Sequence, residues 1–127
     1  MKNLEQIRAA SALACADSID RQAVRKLPAM VLANGLLAAA SFSLDSESRK
    51  GMRDVWEVIG SHLHQRGYLK SALVGTDKSA RIKSFLKELA AQSSLELQSA
   101  TTETMAFLGY LKRFTPKPVN EPEESEA

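Results

Sequence analysis

The chain has 127 residues and a mass of 13.9 kDa, enough for one hydrophobic core and too little for two. Ala and Leu supply 34 residues against 15 for Val, Ile and Thr, and Pro28 is the only proline before residue 116, which excludes a sheet-based fold. The net charge of +2 divides into a body (residues 1–115) with 16 basic and 11 acidic residues and a tail (residues 116–127) with one lysine against four glutamates.

These numbers predict an all-α fold. The body forms a compact single-domain helical bundle of about five main helices, and the acidic Pro/Glu-rich tail is disordered because it has too little apolar surface to bury. Asn3 caps a first helix that runs to about Lys26, with Leu4, Ile7, Ser11 and Ala14 along a narrow seam. Pro28 fits the first turn of a second helix, where its missing N–H costs nothing. That helix carries Met30, Val31, Leu36, Leu37 and Phe42. Gly35 in its middle costs about 1 kcal/mol relative to alanine, which implies that another helix approaches closely there.

Asp45-Ser46-Glu47-Ser48 reads as a turn and cap before a third helix, whose buried stripe is Met52, Val55, Trp56, Ile59 and Leu63. Gly67 ends it, and residues 68–75 form a short apolar segment that is either helical or irregular. Thr76 or Asp77 caps a fourth helix with Ile82, Phe85, Leu86 and Leu89 as its stripe. A fifth helix spans about Ser94 to Phe114, with Leu97, Ala100, Thr101, Met105, Leu108 and Leu111 on one side.

Residues 27–44 carry no charge over 18 positions, the lower limit for a membrane span. Asn34, Ser41 and Ser43 interrupt the run, so it reads as a helix buried inside the bundle, with no membrane partner. Cys15 is the single cysteine and reads as a buried structural thiol. Glu5 falls where a secretory signal needs an apolar run, so a cytoplasmic location is expected.

Catalytic chemistry finds little support. His62 and His64 diverge by roughly 200° around a helix and cannot share a metal, so neither a metal site nor a cofactor is expected. No glycine-rich phosphate loop is present. Glu103 stands among Thr101, Thr102 and Thr104 and reads as a helix-surface or helix–helix hydrogen-bonding residue rather than a catalytic acid. The chain is expected not to be an enzyme.

The basic residues group better. Arg21, Arg25 and Lys26 end the first helix, Arg49, Lys50 and Arg53 open the third, Lys83 and Lys87 share a face of the fourth, and Lys112 and Arg113 end the fifth. Cations at a helix start oppose its dipole, so the second cluster has no local electrostatic reason for its place. Each group alone fits a solvated helix face, and four of them on one compact bundle point towards phosphate contact. Most of the seven aromatics fall on core stripes, so any contact with nucleic acid would be through backbone and shape rather than by base stacking.

Two segments carry a resemblance. Lys26-Leu27-Pro28-Ala29-Met30-Val31-Leu32-Ala33-Asn34-Gly35-Leu36, with Phe42 beyond, resembles one motif of the small helical subunit of the type III-B CRISPR effector, the Cmr complex. Ala100-Thr101-Thr102-Glu103-Thr104-Met105-Ala106-Phe107-Leu108-Gly109-Tyr110-Leu111-Lys112-Arg113-Phe114 resembles its second motif, and Arg8-Ala9 matches more weakly. The likeness spans roughly residues 4–115. Leu37, Tyr110 and Thr115 depart from the pattern, where glycine, tryptophan and alanine are usual.

The resemblance implies a non-catalytic subunit that stacks with copies of itself along a backbone of other Cmr subunits. There it supports the channel for guide RNA and target RNA. Lys26, Lys112 and Arg113 lie inside the matching motifs. Pro28, Asn34, Gly35, Thr101, Glu103 and Phe107 are its structural positions, with Asn34, Gly35 and Glu103 expected to hold helix two against helix five. The alternative is a helical protein–protein adaptor that makes no contact with nucleic acid.

Overall fold

The computed structural model describes residues 2–45 and 50–116, apart from the side chain of Lys50. Arg49, the side chain of Lys50, most of the Asp45–Ser48 turn and the tail beyond Pro116 lie outside the described residues. Among those described, there are six α-helices, one 3-10 turn and no strands. They are α1 (Leu4–Cys15), the 3-10 turn (Ala16–Ser18), α2 (Arg21–Asn34), α3 (Leu36–Phe42), α4 (Lys50–Gln65), α5 (Lys78–Ala91) and α6 (Ser94–Phe114). The fold is the expected all-α bundle.

Two boundaries differ from the sequence reading, and both have a local cause. The first helix stops at Cys15 instead of Lys26, because Asp20 takes an extended conformation and its side chain accepts a hydrogen bond from the backbone N–H of Gln22. Pro28 therefore lies well inside α2 and not in its first turn. The second difference is Gly35, which has φ 90° and ψ 162° and separates α2 from α3. A Cβ built on it would meet nothing within 4 Å, so the glycine serves backbone conformation and not close approach. The uncharged run at 27–44 is thus divided between two short helices. None of the described helices is long and apolar enough to cross a membrane.

Other helix ends follow the sequence closely. Asn3 and Gln6 form a reciprocal capping box at α1, and Ser93 and Glu96 form another at α6. Asp77 caps α5 by accepting from the N–H of Ala80. At the end of α4, Gly67 has φ 85°, the N–H of Tyr68 reaches the carbonyl of Leu63, and that of Gly67 reaches His64. This pair of bonds is a Schellman closure, which a residue with a Cβ makes with strain.

Helix α6 is the hub and packs on α1, α2 and α4, while α5 packs on α4 and α3. The core contains Trp56, Phe85, Phe107, Leu27, Ile59 and Leu111, all essentially without solvent contact. Trp56 and Phe85 join α4 to α5 with ring centroids 6.3 Å apart. Residues 68–75 are irregular, and α5 straps them down. Glu88 accepts from the backbone N–H groups of Lys70 and Ser71, Ser84 accepts from Val74, and Gln92 donates to the carbonyl of Tyr68. Leu73 of this strap lies over Gly60, where a Cβ would come within 2.8 Å of its methyl carbon.

The seam of α1 is shifted from the one expected. Leu4 and Ala14 are exposed, and the inward side consists of Ile7, Arg8, Ser11, Ala12 and Cys15. The small residues Ala12 and Ala16 are buried beside α6, as is Ala100 on α6 itself. Arg8 turns inward because an acceptor waits for it there.

Candidate functional site

That acceptor is Glu103, which is 1% exposed in the middle of α6. Arg8 donates to both of its oxygens, Nη2 to Oε1 at 2.8 Å and Nε to Oε2 at 3.0 Å. His62 of α4 places Nε2 2.9 Å from Oε2 and Nδ1 2.9 Å from the hydroxyl of Ser11. Its ring stacks on Phe107 with centroids 4.1 Å apart and planes 8° from parallel. One chain of polar contacts, Arg8–Glu103–His62–Ser11, therefore ties α1, α4 and α6 together.

The electrostatics follow from that geometry. Burial alone would push the Glu103 carboxyl up, but hydrogen bonds from Arg8 and His62 and the Arg8 charge outweigh it and hold the group below its ordinary value. Burial pulls His62 below its ordinary value, and the bond to Glu103 offsets this only in part. The Glu103 hydrogen bond raises Arg8 further. At neutral pH the site thus holds an ionised carboxylate, a guanidinium and a neutral imidazole. An ionised carboxylate only accepts, so Nε2 carries the His62 proton and Nδ1 accepts from Ser11.

The sequence assigns Glu103 to holding the second helix against the last. It holds α1 and α4 there instead, while Asn34 and Gly35 are exposed. Its three threonine neighbours lie in the helix by bonding back to it. Thr101, Thr102 and Thr104 donate to the carbonyls of Leu97, Gln98 and Ala100.

The cationic candidates separate into two kinds. Arg21 is 9% exposed and donates from Nη1 to the carbonyl of Thr115 at 3.1 Å, and Arg53 is 8% exposed and donates to the carbonyl of Ser43 at 3.1 Å. Both bonds close helix junctions, so these two arginines leave the set of surface cations. Arg25, Lys26, Lys83, Lys87, Lys112 and Arg113 are exposed.

The fold gathers some of these. Thr115 lies against Arg21, so the start of α2 meets the end of α6. Lys26 follows Arg21 by five residues, about 7.5 Å of helix rise, and Lys112 and Arg113 precede Thr115 by three and two. Lys112 and Arg113 thus lie in the turn of α6 next to that junction, and Lys26 lies about 1.4 helical turns further along α2. Lys83 and Lys87 sit elsewhere, on α5 beside the 68–75 strap, where they border a cavity of about 660 Å³. Among the described residues, no group of three or more His, Cys, Asp or Glu side chains is placed to hold a metal.

Residues 4–116 match the family described as CRISPR-associated protein (Cas_Cmr5). The chain belongs to that family, the small subunits of the type III-B CRISPR effector, the Cmr complex. Comparison with curated proteins and with solved structures finds no match. The family places the chain among the components of a Cmr effector complex. Both motifs lie within the matched span, as does Arg8, whose weak motif signal becomes intelligible as the partner of Glu103. His62 belongs to neither motif, and its place on the inward face of α4, one residue before Leu63, is the one sequence signal that it is buried.

Proposed function

We propose that the chain is a non-catalytic, RNA-contacting structural subunit of the Cmr effector. It stacks with copies of itself along the backbone subunits and supports the channel holding guide RNA and target RNA. The membership of the Cas_Cmr5 family carries this reading. The exposed Lys26, Lys112 and Arg113 are its first RNA contacts, and Lys83 and Lys87 form a separate second face. The contacts of these cations are to phosphate; Trp56, Phe85 and Phe107 are enclosed in the core, whereas Phe42, Tyr68, Tyr110 and Phe114 are half-buried. Glu103 supports the non-catalytic role, because both its oxygens are already committed to Arg8 and His62.

The test is assembly. Purified chain mixed with Cmr backbone subunits and guide RNA should co-elute as a stoichiometric component, and RNA binding by the assembly should fall with salt. Failure to co-elute would end the reading. The burial of Arg21 and Arg53 favours a second one, a protein–protein adaptor, because it thins the cationic surface. An assembly whose RNA affinity ignores all the exposed lysines would support the adaptor.

A further inference from the structure

Ala80, Ser84 and Glu88 recur every fourth residue, so it is one face of α5 that holds the irregular segment 68–75. Glu88 accepts from the N–H groups of Lys70 and Ser71, and Ser84 accepts from that of Val74. At Gly75 the segment runs so near the helix that a Cβ would lie 2.6 Å from that of Ala80. Residues 71–74 and this face of α5 line the cavity of about 660 Å³, a size within the roughly 300–1,000 Å³ of small-ligand sites. Its apolar wall is Ala72, Leu73, Val74, Ala80 and Phe85. Val74 is 65% exposed, so this wall opens to solvent.

The polar groups of the cavity divide into engaged and free. Ser84 donates to the carbonyl of Arg81 while accepting from Val74, and both oxygens of Glu88 hold backbone N–H groups. Lys83 and Lys87 border the cavity as exposed residues, about 6 Å of helix rise apart. Among the described residues neither has an acidic partner, whereas Lys78 and Arg81 of the same helix pair with Asp54 and Glu57. Two like charges at this spacing repel each other and weaken the helix, and no described acid offsets them.

We propose that this cavity seats one unpaired nucleotide of the RNA, its base against the apolar wall and its two flanking phosphates on Lys83 and Lys87. The inference rests on the RNA reading and adds to it a contact that phosphate alone does not make. An apolar wall beside two free cations fits a ligand with one apolar part and two negative charges. A nucleotide within a strand has that form. A fatty acid brings a single charge, and a paired base is closed within its stack. Since Ser84 and Glu88 are engaged, the site has little with which to read a base edge, and it accepts purines and pyrimidines alike. Its walls are already fixed to each other at Ser71, Val74 and Gly75, so filling it needs little reorganisation.

The probe is adenosine 3′,5′-bisphosphate, a base with a phosphate on either side, titrated into the full-length chain and followed by NMR. The methyl signals of Leu73 and Val74 should shift together with the amides of Lys83 and Lys87, and the uridine analogue should bind within about threefold. K83Q/K87Q should weaken binding at least about tenfold. V74S, an exposed change that thins the apolar wall and leaves the charge alone, should weaken it about threefold. Inorganic phosphate should leave both methyl signals unmoved. Shifts confined to the lysines, equal methyl shifts with phosphate alone, or tighter binding of decanoate or of an acidic peptide would overturn the seat. In the assembled Cmr complex, RNA carrying 4-thiouridine should cross-link to residues 71–74, and K83Q/K87Q should remove that cross-link. RNA retained with a normal salt dependence but without the cross-link overturns the seat and leaves the RNA reading standing. An assembly that retains no RNA ends that reading and removes the proposed occupant with it.

Discussion

Arg8 and Glu103 are separated by 95 positions and joined by two hydrogen bonds of 2.8 and 3.0 Å, one to each carboxylate oxygen. The carboxylate is enclosed while the guanidinium keeps a fifth of its side chain in solvent. Removing the two partners therefore has unequal consequences. R8M leaves a buried charge with only a neutral imidazole beside it and should cost about 3 kcal/mol in urea unfolding. R8M/E103L removes the stranded charge and should recover a good part of that loss. A double variant no more stable than R8M would show that the pair matters by packing and not by charge.

The pH dependence of stability follows from the same site. His62 is held below its ordinary value of 6.5, so the unfolded chain takes up the proton first as pH falls. Stability is complete above about pH 6.5 and declines below it, until the folded imidazole also titrates. Glu103, likewise depressed, adds a second loss that begins as pH falls below its ordinary value of 4.5. Thermal melts in uniform ionic strength should show a plateau above pH 6.5 and a two-stage fall. In H62Q the upper stage should vanish and the lower one remain.

Gly35 holds φ 90° and ψ 162°, a backbone region that is essentially closed to residues with a Cβ. G35A should destabilise the chain by about 1–3 kcal/mol, although the new methyl meets no neighbour. Gly109 of α6 also has open space around it, with no positive φ, and G109A should be neutral or slightly stabilising. Chemical denaturation of the two variants side by side separates conformational strain from crowding.

Arg21 and Lys26 look equivalent in the sequence and differ in the structure. R21M should lower the melting temperature by several degrees, because the carbonyl of Thr115 is buried and loses a donor. K26M, with its side chain in solvent, should stay within about 0.5 kcal/mol of the parent. The same comparison holds for R53M against K87M.

Much of the fold is legible in the sequence because local signals agree with the packing. Asn3, Asp77 and Ser93 cap the helices they precede, Gly67 closes α4, and the α4 stripe of Val55, Trp56, Ile59 and Leu63 is buried as its spacing requires. The α1–α2 break is not legible, because Asp17-Ser18-Ile19-Asp20 sits between two helix-forming runs and only the conformation of Asp20 reveals a second cap. Gly35 misleads because a mid-helix glycine and a helix-breaking glycine look alike in sequence. The polar chain at Glu103 is half legible: the glutamate stands out, but Arg8 and His62 come from distant helices, and no spacing rule links them. Likewise, Arg21 and Arg25 form a cationic pair in sequence, whereas burial separates them in the structure.

The most direct measurement is the salt dependence of guide–target RNA retention by the assembled Cmr complex containing K26E/K112E/R113E. These substitutions are at exposed positions, so the chain should remain folded and incorporated. The slope of log affinity against log salt should flatten by roughly one for each phosphate no longer neutralised, and affinity at 100 mM salt should fall by at least about tenfold. An unchanged slope and affinity, with the variant present at full stoichiometry, would contradict RNA contact at the end of the bundle where α2 meets α6.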